Sequence, residues 1–148
     1  MIRRATDADA GRMAEIIVFN NRMNFYPIFG DIGYSFKEFN VLDVCRSYLE
    51  DRAFMEGTWI FEDEVVKGFV TCNGDEVVKL YVDTFFQSGG IGGKLLDFAV
   101  KELGASWLWA LEKNVRGLEF YARHGFGPTG EKVFEEGTDE YLVKLRRK

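Results

Sequence analysis

Residues 85 to 96 read FFQSGGIGGKLL, with four glycines (Gly89, Gly90, Gly92, Gly93) in five positions before the chain turns apolar at helical spacing. Glycine reaches backbone conformations that other residues avoid, and a helix start presents unpaired N–H groups at the positive end of its dipole. Such a turn can cradle an anion, typically a phosphate. Two nucleotide motifs fail the test. The dinucleotide fingerprint needs glycine where Leu95 stands. The P-loop needs glycine at 88 and Ser or Thr after Lys94, where the chain has Ser88 and Leu95. A bare glycine turn is the alternative the residues alone leave open. What remains is Gln87-x-x-Gly90-x-Gly92.

The elements that position this stretch follow from periodicity. Residues 2 to 5 read as a first strand. Thr6 and Asp9 have capping-box spacing, and a helix follows to about Asn24 with Met13, Ile16, Ile17 and Asn20 on one side. SFKE at 35 to 38 reads as a second box, opening a helix to about Asp51 with Phe39, Leu42, Cys45 and Leu49 inward. Three β-rich runs (58 to 62, 65 to 72, 76 to 82) with short turns read as an antiparallel meander. The glycine-led helix places Ile91, Leu95, Ala99 and Leu103 on one face and stops at Gly104. A strand at 106 to 112, a short helix at 114 to 125 and a hairpin at 133 to 145 turning at Gly137 complete the chain. Pro27 and Pro128 fall in expected loops.

The order is β α α β β β α β α β β in a single domain over 1–148. The fold class is α/β (α+β): a mixed, mostly antiparallel sheet of about seven strands with helices on both faces. The strand at 76 to 82 and that at 106 to 112 should be parallel, joined by a right-handed crossover.

The pattern Gln87-x-x-Gly90-x-Gly92 after "LYV" at 80 to 82 resembles the signature of the GCN5-related N-acetyltransferase (GNAT) family. A second motif agrees: NVRGLEFYARHGF at 114 to 126 resembles the family's Asn-x-x-Ala-x-x-Phe-Tyr-x-x-x-Gly-Phe, with Asn114, Phe120, Tyr121, Gly125 and Phe126 in register. Gly117 replaces the usual alanine, Thr84 a frequent proline, and Ser88 a position often glycine or basic. The resemblance is strongest from about 57 to 146 and is topological in the first third.

The resemblance implies acetyl-coenzyme A as acyl-donor cosubstrate and no metal. The pyrophosphate would lie on the amides of Ser88, Gly89, Gly90, Ile91, Gly92 and Gly93, with Gln87 in the signature and Lys94 near the phosphates. Side chains at Gly90 or Gly92 would crowd that approach. The pantetheine arm would enter a gap between the fourth and fifth strands and bond the backbone of Leu80 and Val82. The Val82 N–H would meet the oxygen that gains charge during attack. Asn114 would bond the cofactor, or cap its helix. Tyr121 would protonate the departing thiolate, while His124 reads as structural.

An acceptor amine with a lysine-like pKa of about 10.4 is protonated at pH 7, a penalty of roughly 4 to 5 kcal/mol before attack. A carboxylate must relieve it. Glu76 stands eleven residues before Gln87, the offset at which the family's histone acetyltransferases carry a basic glutamate; Asp83 and Glu62 are rivals. The aromatic segment 24 to 36 is expected to wall the acceptor pocket through Phe25, Tyr26, Phe29, Asp31 and Tyr34. Trp107 and Trp109 share a strand face, towards a helix layer or a partner.

Composition narrows the class. The chain has 148 residues, 47% hydrophobic and 16% aromatic, enough for one core. No run approaches a membrane span, and MIRRATDADA lacks the apolar centre of a secretory signal. Cys45 and Cys72 form no CxxC pair and read as free thiols of a cytoplasmic protein; one histidine argues against zinc. A net charge of -5 disfavours nucleic acid and suits a small cationic amine. A homodimer is expected by resemblance. The expected activity is acetyl transfer to a primary amine in a ternary complex. A non-catalytic acyl-coenzyme A-binding module on the same fold is the alternative.

Overall fold

A computed structural model describes residues 1–148. The strands are β1 (Ile2–Arg4), β2 (Thr58–Asp63), β3 (Val65–Asn73), β4 (Glu76–Val82), β5 (Trp107–Leu111), β6 (Phe126–Phe134) and β7 (Tyr141–Arg147). The helices are α1 (Ala10–Asn20), α2 (Tyr26–Phe29), α3 (Val41–Glu50), α4 (Arg52–Glu56), α5 (Ile91–Leu103) and α6 (Val115–Arg123). One seven-stranded sheet runs β1-β2-β3-β4-β5-β7-β6, antiparallel except for β4 with β5. The expected mixed sheet and element order are therefore present, with the short α2 and α4 in addition.

Two cores cover the two faces of the sheet. Leu95, Leu96 and Ala99 of α5 pack on Val70, Val77 and Leu108. On the other face Met13 and Ile16 of α1 pack on Ile60, Phe69 and Met55. The expected inward face of α1 holds, since Met13, Ile16, Ile17 and Asn20 are all buried. The Asp9 carboxylate accepts the Thr6 N–H at 2.7 Å, which is the reaching-back half of the predicted box, and also pairs with Arg3.

The region between α1 and α3 departs from expectation. α1 ends at Asn20 and continues as a wide π-helical turn over 21–25 into α2. Pro27 lies in the first turn of α2, not in a loop. Proline has no N–H and its ring crowds the carbonyl four residues back, so a regular helix through Pro27 is disfavoured. SFKE does not open α3. Asn40 does, accepting the Asp43 N–H at 2.9 Å, while Ser35 is fully buried. That shift rotates the inward face: Val44 is buried and Leu42 and Leu49 are exposed, although Phe39 and Cys45 still pack inward.

The final hairpin is longer than predicted, because β6 begins at Phe126 and includes Pro128. β6 is an edge strand, where a missing N–H is tolerated, and its register slips between Pro128 and Lys132. Gly137 turns the hairpin at φ +75°. Cys45 and Cys72 are free, and burial pushes the Cys72 thiol up to about 11. No helix is long and apolar enough to cross a membrane.

Candidate active site

β4 and β5 pair only at Glu76↔Trp107 and Val77↔Leu108, so beyond Val77 the two strands splay. The register fixes what lines that gap. Asp83 donates its N–H to the Lys67 carbonyl at 2.8 Å, which makes Val82↔Gly68 a non-hydrogen-bonded pair. Leu80↔Val70 has the same parity. The N–H and C=O groups of Leu80 and Val82 therefore point away from β3, towards the gap.

A cavity of about 1660 Å³ opens from this gap. One end is the glycine turn. Ser88 and Gly90 both have positive φ, +67° and +85°, and the first backbone bond of α5 runs from Lys94 N–H to the Gly90 carbonyl. The amides of Ile91, Gly92 and Gly93 thus have no intrahelical acceptor. Arg116 of α6 donates to Ser88 Oγ at 3.2 Å, and Lys94, Arg123 and His124 also line this end. These features fit a phosphate-bearing cofactor: free amides, a left-handed turn and surrounding cations. Arg116 and Arg123 escaped sequence reasoning, because only the docking of α6 on α5 brings them to the turn.

Gly92 and Gly93 have a second use. A Cβ at Gly92 would touch Phe120 at 3.4 Å, and one at Gly93 would sit 2.9 Å from His124 Cε1. Their lack of side chains lets α6 lie against α5. Only Gly90 faces open space, so the predicted crowding of a ligand by side chains rests on Gly90, while at Gly92 the neighbour is protein.

Gln87 does not point at the turn. Its amide nitrogen donates to Asn20 Oδ1 and to the Val82 carbonyl, each at 3.1 Å. Asn20 donates to the same carbonyl at 2.9 Å. The signature glutamine thereby ties the loop to α1 and β4. Asn114 caps α6, accepting the Gly117 N–H at 3.2 Å, and its Nδ2 would clash with any Cβ at residue 117. The glycine at 117 therefore makes room for this cap, and Asn114 lines the cavity as well.

Tyr121 lines the cavity and packs edge-on against Phe120 and Phe126. Burial pushes its phenol up to about 12. Handing its proton to a free thiolate of pKa about 8.5 is then uphill by roughly 5 kcal/mol, more than an ordinary tyrosine would require. A thiolate desolvated beside it is raised too, which narrows the gap.

The carboxylates sort differently from expectation. Glu76 lies outside the cavity, at the paired root of β4 and β5, where burial and then Asp75 raise its carboxyl. Asp83 pairs with Arg12 and caps Phe85 N–H at 2.7 Å, and Glu62 accepts from Arg3 at 2.8 Å. None of the three lines the cavity. Those that do are Asp31, Glu38 and Asp43 from the α1–α3 region, Glu135, Glu136, Asp139 and Glu140 from the β6–β7 turn, and Asp97 of α5 beside His124 at the glycine-turn end. Glu135 acts on Tyr34, Lys79 and Tyr81, raising each, though burial is the largest influence on all three and lowers Lys79. The sheet order alone brings that turn to β4, so no local signal marked it.

Of the expected acceptor wall, Phe25, Phe29, Asp31 and Tyr34 line the cavity. Tyr26 does not; its ring packs edge-on against Phe36 at 5.2 Å. Asp31 also accepts the Tyr34 N–H at 3.0 Å. Gly89 and Ile91 do not line the cavity, and the Ile91 side chain is buried in the core. Trp109 does line it, while Trp107 is covered by its own chain, bonded to Asp75 at 2.9 Å with Lys144 over its ring. Both tryptophans are therefore partly covered within the chain.

Comparison with known proteins agrees with this geometry. Residues 55–128 match the model of the acetyltransferase (GNAT) domain. An uncharacterized N-acetyltransferase from the pepI 3′ region of Lactobacillus delbrueckii subsp. lactis is 34% identical over 91 residues, which cover 55% of this chain and 52% of the relative. The match spans about half the length of that relative. The solution structure of apo YjaB from Escherichia coli superposes with a TM-score of 0.78 at 21% identity, covering 99% of this chain and 95% of that one. The PaiA N-acetyltransferase of Thermoplasma acidophilum, solved with coenzyme A, gives 0.70 at 17% identity, covering 99% and 98%.

Proposed function

The chain belongs to the GNAT acetyltransferase family, and from that premise we propose that it transfers an acetyl group from acetyl-coenzyme A to a primary amine. The observation that carries the reading is the splayed β4–β5 gap opening onto a glycine turn with free amides. The Thermoplasma relative's complex with coenzyme A supports the choice of cofactor. Amides of 88 to 93 hold the pyrophosphate, with Lys94 and Arg116 beside them. The backbone of Leu80 and Val82 takes the pantetheine arm, and Asn114 flanks it.

The Val82 N–H donates to the oxygen that gains negative charge as the amine attacks, a stabilisation that exists mainly in the transition state. Asn20 and Gln87 hold the Val82 carbonyl, which anchors the peptide after Val82 and so the end of β4 that carries the N–H. Tyr121 donates a proton to the leaving sulfur. Glu135 replaces Glu76 as the carboxylate that accepts the amine proton, because it lines the cavity beside Tyr81 and Lys79 and Glu76 does not.

The acceptor is a small cationic amine in this reading. The acceptor end is acidic on both walls and the cofactor end is basic, so a cation and a phosphate-bearing cofactor are drawn to opposite ends. Phe25, Phe29 and Tyr34 would pack its apolar part. A cytoplasmic setting and a homodimer belong to the same proposal. The free thiols support the first; light scattering of the purified protein tests the second.

Calorimetric titration with acetyl-coenzyme A tests the core of this reading. Saturable binding by the wild type and its loss in Gly90→Glu are expected, followed by thiol release on screening amines. A folded wild type that fails to bind would overturn it.

A further inference from the structure

We propose that Lys79 is an internal acceptor, its side-chain amine taking an acetyl group from acetyl-coenzyme A bound in the same molecule. This rests on the acetyltransferase reading above.

The placement comes from a break in β4. Thr71 pairs with Lys79 but Cys72 pairs with Val77, so Val78 is the extra residue of a bulge. Val77, Leu80 and Val82 consequently pack on the α5 side of the sheet, whereas Tyr81 packs on the α1 side. Lys79 alternates with Leu80 and so shares the Tyr81 face, in the cavity, where the acceptor-side residues stand. It lies three residues before Val82, about 10 Å along the strand, so the amine meets a thioester carbon that lies between the two residues, with its stem laid along the strand.

Its surroundings leave the amine available. Lys79 is half-buried yet has no ion pair within 4.0 Å and no hydrogen bond, whereas Lys67, Lys113, Lys132 and Lys144 each hold a carboxylate. Glu135 is the charged group that acts on it, without direct contact. Burial lowers its pKa, which raises the share of neutral, nucleophilic amine at a given pH. Lys94, the other lysine lining the cavity, is exposed beside the glycine turn.

The Nζ lone pair attacks the thioester carbonyl carbon. The C–N bond forms and the C–S bond breaks. The amine proton passes to Glu135 or water, and the thiolate takes a proton from Tyr121 or solvent. The sum is acetyl-coenzyme A plus lysine giving acetyl-lysine plus coenzyme A, with no other reactant. The product removes a positive charge from the acceptor end and adds bulk there.

The test incubates the full chain with acetyl-coenzyme A and no added amine, then maps acetylated peptides by mass spectrometry while calorimetry reports binding. Expected is one acetyl on Lys79, formed at a rate independent of protein concentration and at least about tenfold faster than on exposed Lys37 or Lys101. Excess free coenzyme A and Lys79→Arg should each abolish it. Binding with an unmodified Lys79 would overturn self-acetylation and leave the acetyltransferase reading standing. Equal labelling of Lys79, Lys37 and Lys101 would also overturn it, as non-enzymatic chemistry. Absence of binding would remove both.

Discussion

Gly93 and His124 share one space: a Cβ on Gly93 would lie 2.9 Å from Cε1 and 3.3 Å from Nε2 of the imidazole, whose Nδ1 is 3.6 Å from Asp97. The ring also packs on Phe120 at 4.7 Å. One of the four glycines therefore exists, in part, so that α6 can seat its histidine on the first turn of α5. Gly93→Ala should gain up to about 1 kcal/mol of helix propensity and lose a similar amount by displacing the ring. In a His124→Ala background only the gain remains. A double-mutant cycle by urea unfolding should give a coupling near 1 kcal/mol; a coupling of zero would separate the two residues.

Asn20 holds the Val82 carbonyl, the Ile16 carbonyl and the side chains of Gln87 and Asn24 at once. Asn20→Leu should cost about 1–3 kcal/mol, since buried partners are left unsatisfied. It should also weaken acetyl-coenzyme A binding by loosening the end of β4, where the Val82 carbonyl loses a donor. Asn20→Asp should be worse near neutral pH, because a buried carboxylate would face a carbonyl. Its deficit should shrink as pH falls and the carboxyl regains a proton to donate. Thermal melts across pH check the ordering.

Glu135→Gln should lower kcat/KM by about 10²-fold or more if its carboxylate removes the amine proton. Glu76→Gln should change it less than about twofold, because that residue sits at the strand root outside the cavity. Steady-state thiol release with any turned-over amine compares the two. The reverse ranking would return the role to Glu76.

Alkaline pH should unfold this protein through its tyrosines. Burial raises Tyr48, Tyr81 and Tyr121 above the usual phenol value, the last to about 12. The folded state therefore keeps protons that the unfolded chain releases near pH 10. Stability from these groups is complete below about pH 10 and falls as pH rises through the folded values. Urea midpoints from about pH 9 upward should drop, and Tyr121→Phe should make that drop shallower. An unchanged slope in the variant would mean Tyr121 does not titrate with unfolding.

Much of this molecule was written locally. The glycine turn, the α6 motif with Asn114 and Tyr121, the parallel β4–β5 crossover and the buried face of α1 all follow from spacing within one segment, and spacing is a property of the chain alone. The α3 face was missed by a local error, since Asn40 and Asp43 carried the cap that Ser35 did not supply. The remaining corrections have another origin. Gln87 binds α1 instead of facing the turn, Gly93 seats a histidine from α6, and Glu135 lines the cavity where Glu76 does not. Each depends on residues tens of positions apart meeting in space. The order β5-β7-β6 swings the hairpin turn over β4, and the bulge at Val78 decides which side chains face it. Periodicity encodes which face of an element is apolar, whereas the partner of that face is chosen by packing among elements, which only the folded chain contains.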